Sequence, residues 1–181
     1  MSLLSVEDTV LFVIDMQGNL YESMQDKQFL LENVRKLVRG MQVFGIPVIV
    51  TEQIPEKLGP TIEPVASLLP DAPRIPKADF SCCGDEKIMK ALKAAERRQV
   101  LLSGIETHVC VYQTAIDLLG FGYDVHLVAD AVSSRTVLNR EIGIGRMRDE
   151  GVHLASTETV LFELIRSADD PKFREIFKIV K

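Results

Sequence analysis

Three side chains in this 181-residue chain could do covalent chemistry together: the acid Asp15, the amine Lys77 and the thiol Cys110. A carboxylate beside a thiol can remove its proton. A lysine beside both holds the carboxylate ionised and steadies developing negative charge. Each residue also has a plainer reading. Asp15 would serve as a helix N-cap or an Asx turn, Lys77 as a solvated surface lysine, and Cys110 as a small buried hydrophobe. Position favours the joint reading, because each follows a run that reads as a β-strand.

Asp15 comes directly after residues 10–14 (VLFVI), a β-branched, wholly apolar run typical of a parallel strand buried on both faces. Lys77 ends a possible short strand at 74–77. Cys110 follows the strand 99–103 (QVLLS), Gly104 and the segment Ile105-Glu106-Thr107-His108-Val109. Thr107 reads as an N-cap, which puts Cys110 one turn into a helix whose inward stripe would be Val109, Tyr112, Ile116 and Leu119. A thiol at that place feels the positive end of the helix dipole, which favours the thiolate.

The elements that must position these groups alternate along the chain. A helix is predicted over 25–44, stopped by Gly45 and Pro47, and a strand over 48–50. Residues 54–73 carry Pro55, Pro60, Pro64, Pro70 and Pro73 and read as a long loop with one short helix near 65–68. Helices over 85–98, 107–119 and 139–150 alternate with strands over 99–103, 124–129 and 152–154. Helices over 157–166 and 171–179 finish the chain. Five or six strand–helix repeats call for a parallel sheet covered on both faces. The chain is too short for an eight-fold barrel, which takes at least about 200 residues. The fold class is therefore α/β: a three-layer α/β/α Rossmann-like sandwich with a six-stranded, mainly parallel sheet, one domain over 1–181. Ligands in such folds bind beyond the carboxyl ends of the strands, where Asp15, Lys77 and Cys110 stand.

Composition narrows the function. The net charge is −5 and 46% of residues are hydrophobic, so a disordered chain and a broad basic nucleic-acid face are both disfavoured. No apolar run reaches the ~18 residues of a membrane span, and the start, MSLLSVEDTV, lacks a basic signal-peptide region. Three cysteines, Cys82 and Cys83 adjacent, make no disulfide framework and fit a cytoplasmic location. The glycines Gly143 and Gly145 fall inside a predicted helix, so no dinucleotide fingerprint is present.

Three segments together resemble the isochorismatase-like cysteine hydrolases, a family that includes nicotinamidases and N-carbamoylsarcosine amidase: LFVIDMQGNL (11–20), IPKADFSCC (75–83) and LLSGIETHVCVYQTAIDLLGFGYDVHLVADAVSSR (101–135). The resemblance covers about residues 8 to 160. It implies a catalytic triad of Asp15, Lys77 and Cys110, a cis peptide between Ile105 and Glu106, and an oxyanion hole built from the N–H groups of Glu106 and Cys110. It also implies a homo-oligomer, a dimer or tetramer. Nicotinamidases hold a metal through an Asp and several His after the second strand. The corresponding residues here run from Thr51 to Lys57 without a histidine, and His108, His126 and His153 lack ligand spacing. No metal and no cofactor are expected, and the short, metal-free isochorismatase domain-containing type is the nearest match.

The expected activity is hydrolysis of an amide or related acyl C–N bond of a small molecule through a thioester. The alternatives are a non-catalytic scaffold that keeps the fold, or isochorismate-type vinyl ether hydrolysis, which does not need the cysteine. Gln17, Gln53 and Phe80 are further candidates for the substrate pocket, Phe80 equally for the core. The Glu106 carboxylate has two readings, facing the pocket or facing solvent. Cys82 and Cys83 read as loop thiols. The apolar stripe Phe173, Ile176, Phe177, Ile179 and Val180 could pack on its own domain or on a neighbour.

Overall fold

The computed structural model describes residues 3–181. Strands β1 (Thr9–Ile14), β2 (Val48–Gln53), β3 (Arg74–Lys77), β4 (Gln99–Ile105), β5 (Asp124–Ser133) and β6 (His153–Ala155) form one sheet in the order β3-β2-β1-β4-β5-β6. Every neighbouring pair is parallel. The apolar run in β1 follows from burial on both faces. Leu11 and Val13 enter one apolar cluster, while Val10, Phe12 and Ile14 enter the other.

Helices α2 (Lys27–Phe44), α8 (Thr157–Ile165) and α9 (Phe173–Val180) contribute to the first cluster. Helices α5 (Glu86–Ala95), α6 (Tyr112–Gly120) and α7 (Val137–Asp149) contribute to the second. Ile176 of α9 is fully buried and Phe173, Ile179 and Val180 pack on the same core, so the C-terminal stripe lies on its own domain, with Phe177 exposed.

Strand order reverses between β1 and β4, which are parallel neighbours although β2 and β3 intervene in sequence. The crevice of such a sheet opens at that point. There β4 passes very close to β1. Gly104 has φ +110°, and a Cβ placed on it would stand 2.0 Å from the Ile14 carbonyl oxygen. Only glycine fits this crossing.

Several expectations need correction. β5 runs four residues past Ala129, because an irregularity between Leu102 and Gly104 lets Ser133 pair opposite Ile105. The proline-rich loop holds two short helices, α3 (Pro55–Leu58) and α4 (Glu63–Ala66), and α1 (Gly18–Glu22) follows β1. Too few apolar positions recur in these short helices for a 3.6-residue period to show. Thr107 is not an N-cap. The chain enters α6 through a π-helical turn, Thr107–Val111, which rotates the buried stripe to Val111, Ala115 and Leu118.

Candidate active site

The carboxyl ends of β1, β3 and β4 bring Asp15, Lys77 and Cys110 to one place. Asp15 directly follows β1 and turns the chain in the left-handed region, φ 51°, which Asp tolerates better than most residues. Its N–H donates to the Thr51 carbonyl, which ties the turn to β2. Lys77 lies two strands away and its side chain spans the gap. Its Nζ donates to Asp15 Oδ2 at 2.7 Å and to Gln53 Oε1 at 2.6 Å, with the Asp79 and Phe80 carbonyls at 3.2 and 3.1 Å. Thr51 Oγ1 donates to the other carboxylate oxygen, Oδ1, at 2.8 Å. Neither Lys77 nor Asp15 exposes any side-chain surface.

The pair therefore survives burial because its polar atoms are partnered. Burial alone would push the Lys77 ammonium down. The Asp15 carboxylate, with smaller contributions from Cys110 and Cys82, offsets that effect, and the amine is held above its ordinary value.

Cys110 is buried near Asp15, and its thiol is pushed up to about 12. Desolvation is the first cause and the Asp15 charge the second, with Lys77 opposing them. This overturns the expected thiolate. The dipole of one helical turn does not offset a buried site whose nearest full charge is negative. The resting group is a thiol.

The Ile105–Glu106 peptide bond is cis. The Glu106 carbonyl accepts the N–H groups of Val109 and Val111. The Glu106 carboxylate is nearly buried, and its Oε2 accepts from the Arg135 N–H at 3.2 Å and from Arg135 Nε at 3.1 Å. Arg135 lies two residues beyond β5, whose last residue, Ser133, pairs opposite Ile105. Thr107 Oγ1 is buried and has no hydrogen-bond partner among the described residues.

Two candidate pocket residues prove to be braces. Gln17 is fully buried. It donates to the Gln53 and Gly59 carbonyls and accepts the Gln53 N–H, which staples the proline-rich loop to β2. Gln53 holds Lys77 through Oε1 and the Ala78 carbonyl through Nε2. Both amides are consumed by the protein. Phe80 is 54% exposed and not core; it borders an open groove of about 510 Å³ with Ala78, Asp117 and Phe121.

Sequence reasoning missed Thr51, and it missed Glu52, whose Oε1 accepts from both the Thr61 N–H and the Thr61 hydroxyl. Three consecutive polar residues, Thr51, Glu52 and Gln53, directly after the apolar run 48–50 were the available signal. Cys82 is not a loop thiol. It is fully buried, its N–H donates to Thr114 Oγ1, and burial pushes its thiol to about 11. Cys82, Cys83 and Cys110 are all unbridged.

His126 and His153, far apart in sequence, stand on neighbouring strands. Their rings are 4.9 Å apart, and both approach Asp124 Oδ1, at 3.4 and 3.2 Å. Burial lowers His126, with Asp124 opposing. His108 Nδ1 lies 3.0 Å from Ser134 Oγ. Among the described residues no group of three or more His, Cys, Asp or Glu is arranged to hold a metal ion. No helix among them is long and apolar enough to cross a membrane.

Comparison with known proteins adds three findings. Residues 9–159 match the family model for the isochorismatase domain. The chain is 38% identical over 177 residues, 96% of its length, to the secreted isochorismatase effector Isc1 of Phytophthora sojae. It spans 84% of that relative and 62% of another curated one. Among solved structures, MAR1 ribonuclease from Caenorhabditis elegans superposes with a TM-score of 0.94 at 34% identity, covering 99% of this chain and 92% of that one. YcaC from Escherichia coli, described as an octameric hydrolase of unknown specificity, superposes at 0.93 with 26% identity, covering 99% and 91%.

Proposed function

The chain belongs to the isochorismatase family, and from that premise we propose that it is a cysteine hydrolase acting on an amide or related acyl C–N bond of a small molecule. The observation that carries this reading is the Asp15 carboxylate, which is fixed by Lys77 at 2.7 Å and Thr51 at 2.8 Å and lies close enough to the Cys110 thiol to raise it. A base so held is oriented before the substrate arrives.

In the proposed reaction the proton moves when the bond forms. Cys110 Sγ attacks the carbonyl carbon while Asp15 takes the thiol proton, since a free thiolate is disfavoured in the resting site. The oxyanion is received by the N–H groups of Glu106 and Cys110. One such donor is typically worth about 3 kcal/mol. Asp15 then protonates the leaving amine, the C–N bond breaks, and a thioester remains on Cys110. Water, deprotonated by Asp15, opens the thioester and restores the thiol. Lys77 keeps its proton throughout, because its N–H groups are committed to Asp15, Gln53 and backbone carbonyls. The unpartnered Thr107 hydroxyl, three residues before Cys110, is left for a polar group of the substrate.

The same reading makes the 181 residues one hydrolase domain in a homo-oligomer. The octameric E. coli YcaC supports assembly, as do the exposed Val137, Leu138 and Ile142 of α7. Three free thiols support a reducing cytoplasm, although Isc1 is described as secreted.

The test is a screen of small primary amides, carried out with mass spectrometry of the intact protein. An acyl adduct that maps to Cys110 and is absent from Cys110→Ala is the expected result. Undiminished turnover by Cys110→Ala would rule the scheme out.

A further inference from the structure

We infer that the groove between α2 and α9, remote from Cys110 in the fold, is a binding site for a small phosphate-bearing anion. The groove holds about 350 Å³ and is lined by Arg35, Lys36 and Arg39 of α2, Lys178 and Ile179 of α9, and Glu32. Four cations face one carboxylate there, in a chain whose net charge is −5. No carboxylate of the described residues forms an ion pair with any of the four. Lys36 Nζ donates to the Val180 carbonyl at 3.1 Å, which ties the end of α9 to α2 and fixes the width of the groove.

An independent observation points to a ligand. Arg35 Nε is shut off from solvent and has no hydrogen-bond partner among the described residues. Buried donors in folded proteins are nearly always satisfied, and the Arg35 guanidinium, which makes no hydrogen bond or ion pair among the described residues, keeps its terminal nitrogens for phosphate or carboxylate oxygens. Three neighbouring cations favour the more highly charged of the two, a phosphate group. Ile179 supplies an apolar wall beside it, and the volume suits a small molecule. The short run of cations and the acidic net charge weigh against a nucleic-acid strand, which needs a longer basic track.

The test is titration of the whole protein with inorganic pyrophosphate, inorganic phosphate and glycerol phosphate, followed by calorimetry and by amide chemical shifts. One saturable site is expected, with shifts centred on residues 35–39 and 178–179. Binding should weaken by about tenfold or more in Arg35→Gln and in Lys178→Gln, and Arg148→Gln, an exposed arginine on α7, should bind as the wild type does. The two weakened variants lie on different helices, so a folding defect in one leaves the other to report. Preference for pyrophosphate and phosphate over the ester would mark the free anion as the ligand, and the reverse a phosphorylated metabolite. Binding that never saturates, or that neither Arg35→Gln nor Lys178→Gln weakens, would overturn the site. Affinity that climbs with the length of an RNA oligonucleotide would replace it with a polyanion surface. None of these outcomes depends on Cys110 chemistry.

Discussion

Lys77 and Asp15 are 62 residues apart in sequence, yet their side chains meet at 2.7 Å with no solvent on either. Such a pair adds little net stability, because desolvating two charges cancels most of their attraction; removing one partner is another matter, since it strands a buried charge. Lys77→Met should therefore destabilise the fold by about 3–5 kcal/mol in urea denaturation. Adding Asp15→Asn should recover much of that loss without recovering activity. A single variant as stable as the wild type would show that the charges are not both present in the folded protein.

Alkaline stability should fall early. Cys82, Cys83 and Cys110 are held near 11, 12 and 12 against an ordinary 9.0. Above pH 9 the unfolded chain loses thiol protons that the folded chain keeps, so the folded state binds more protons and stability declines as pH rises. Lys77, whose amine is also raised, acts in the same direction: its contribution is complete below its ordinary value of 10.5 and lost above the folded one. Thermal melts across this range should show the decline, and Cys110→Ala should flatten it in part. A melting temperature constant to above about pH 10 would contradict the raised thiols.

Gln53 and Gln17 should separate in assay. Gln53→Leu leaves a buried Lys77 N–H without its acceptor. Turnover should drop, with an altered pH profile and little change in KM, at a cost of about 1–3 kcal/mol. Gln17→Leu instead frees the 54–61 segment from β2, so the loss should appear in stability and in protease sensitivity of that loop. If both variants changed KM alone, these residues would be pocket residues after all.

Gly104→Ala should be among the most damaging single-methyl changes in the chain. The added Cβ would meet the Ile14 carbonyl at 2.0 Å, on a backbone whose φ of +110° already excludes a side chain. Both the fold and the placement of Asp15 depend on this crossing. A soluble, fully active Gly104→Ala would show that β1 and β4 can separate.

The sheet was legible because its strands are short apolar runs broken by Gly, Pro or charge; β1 and β4 differ from expectation by one or two residues. The meeting of Asp15, Lys77 and Cys110 was legible because the carboxyl ends of parallel strands open on one crevice. What could not be read is what depends on long-range register. Nothing local says that Gln53 pairs opposite Lys77, or that β5 gains residues to bring Arg135 to Glu106. The thiolate expectation failed for a related reason: the helix dipole is local and readable, whereas burial and the Asp15 charge arrive only with the tertiary structure.

The most direct test of the central claim is the pH dependence of Cys110 alkylation by iodoacetamide, resolved by peptide mapping from about pH 7 to about pH 10. In the wild type the rate should stay low and climb throughout, as for a thiol held near 12. Asp15→Asn removes the charge that disfavours the thiolate and should move the curve to lower pH, and Lys77→Ala should move it to higher pH. Cys82, which also senses both groups, should follow in the same directions, while Cys83, which senses neither, should stay in place. A Cys110 curve that is unmoved in both variants would mean that acid, amine and thiol do not form one site, and would contradict the account.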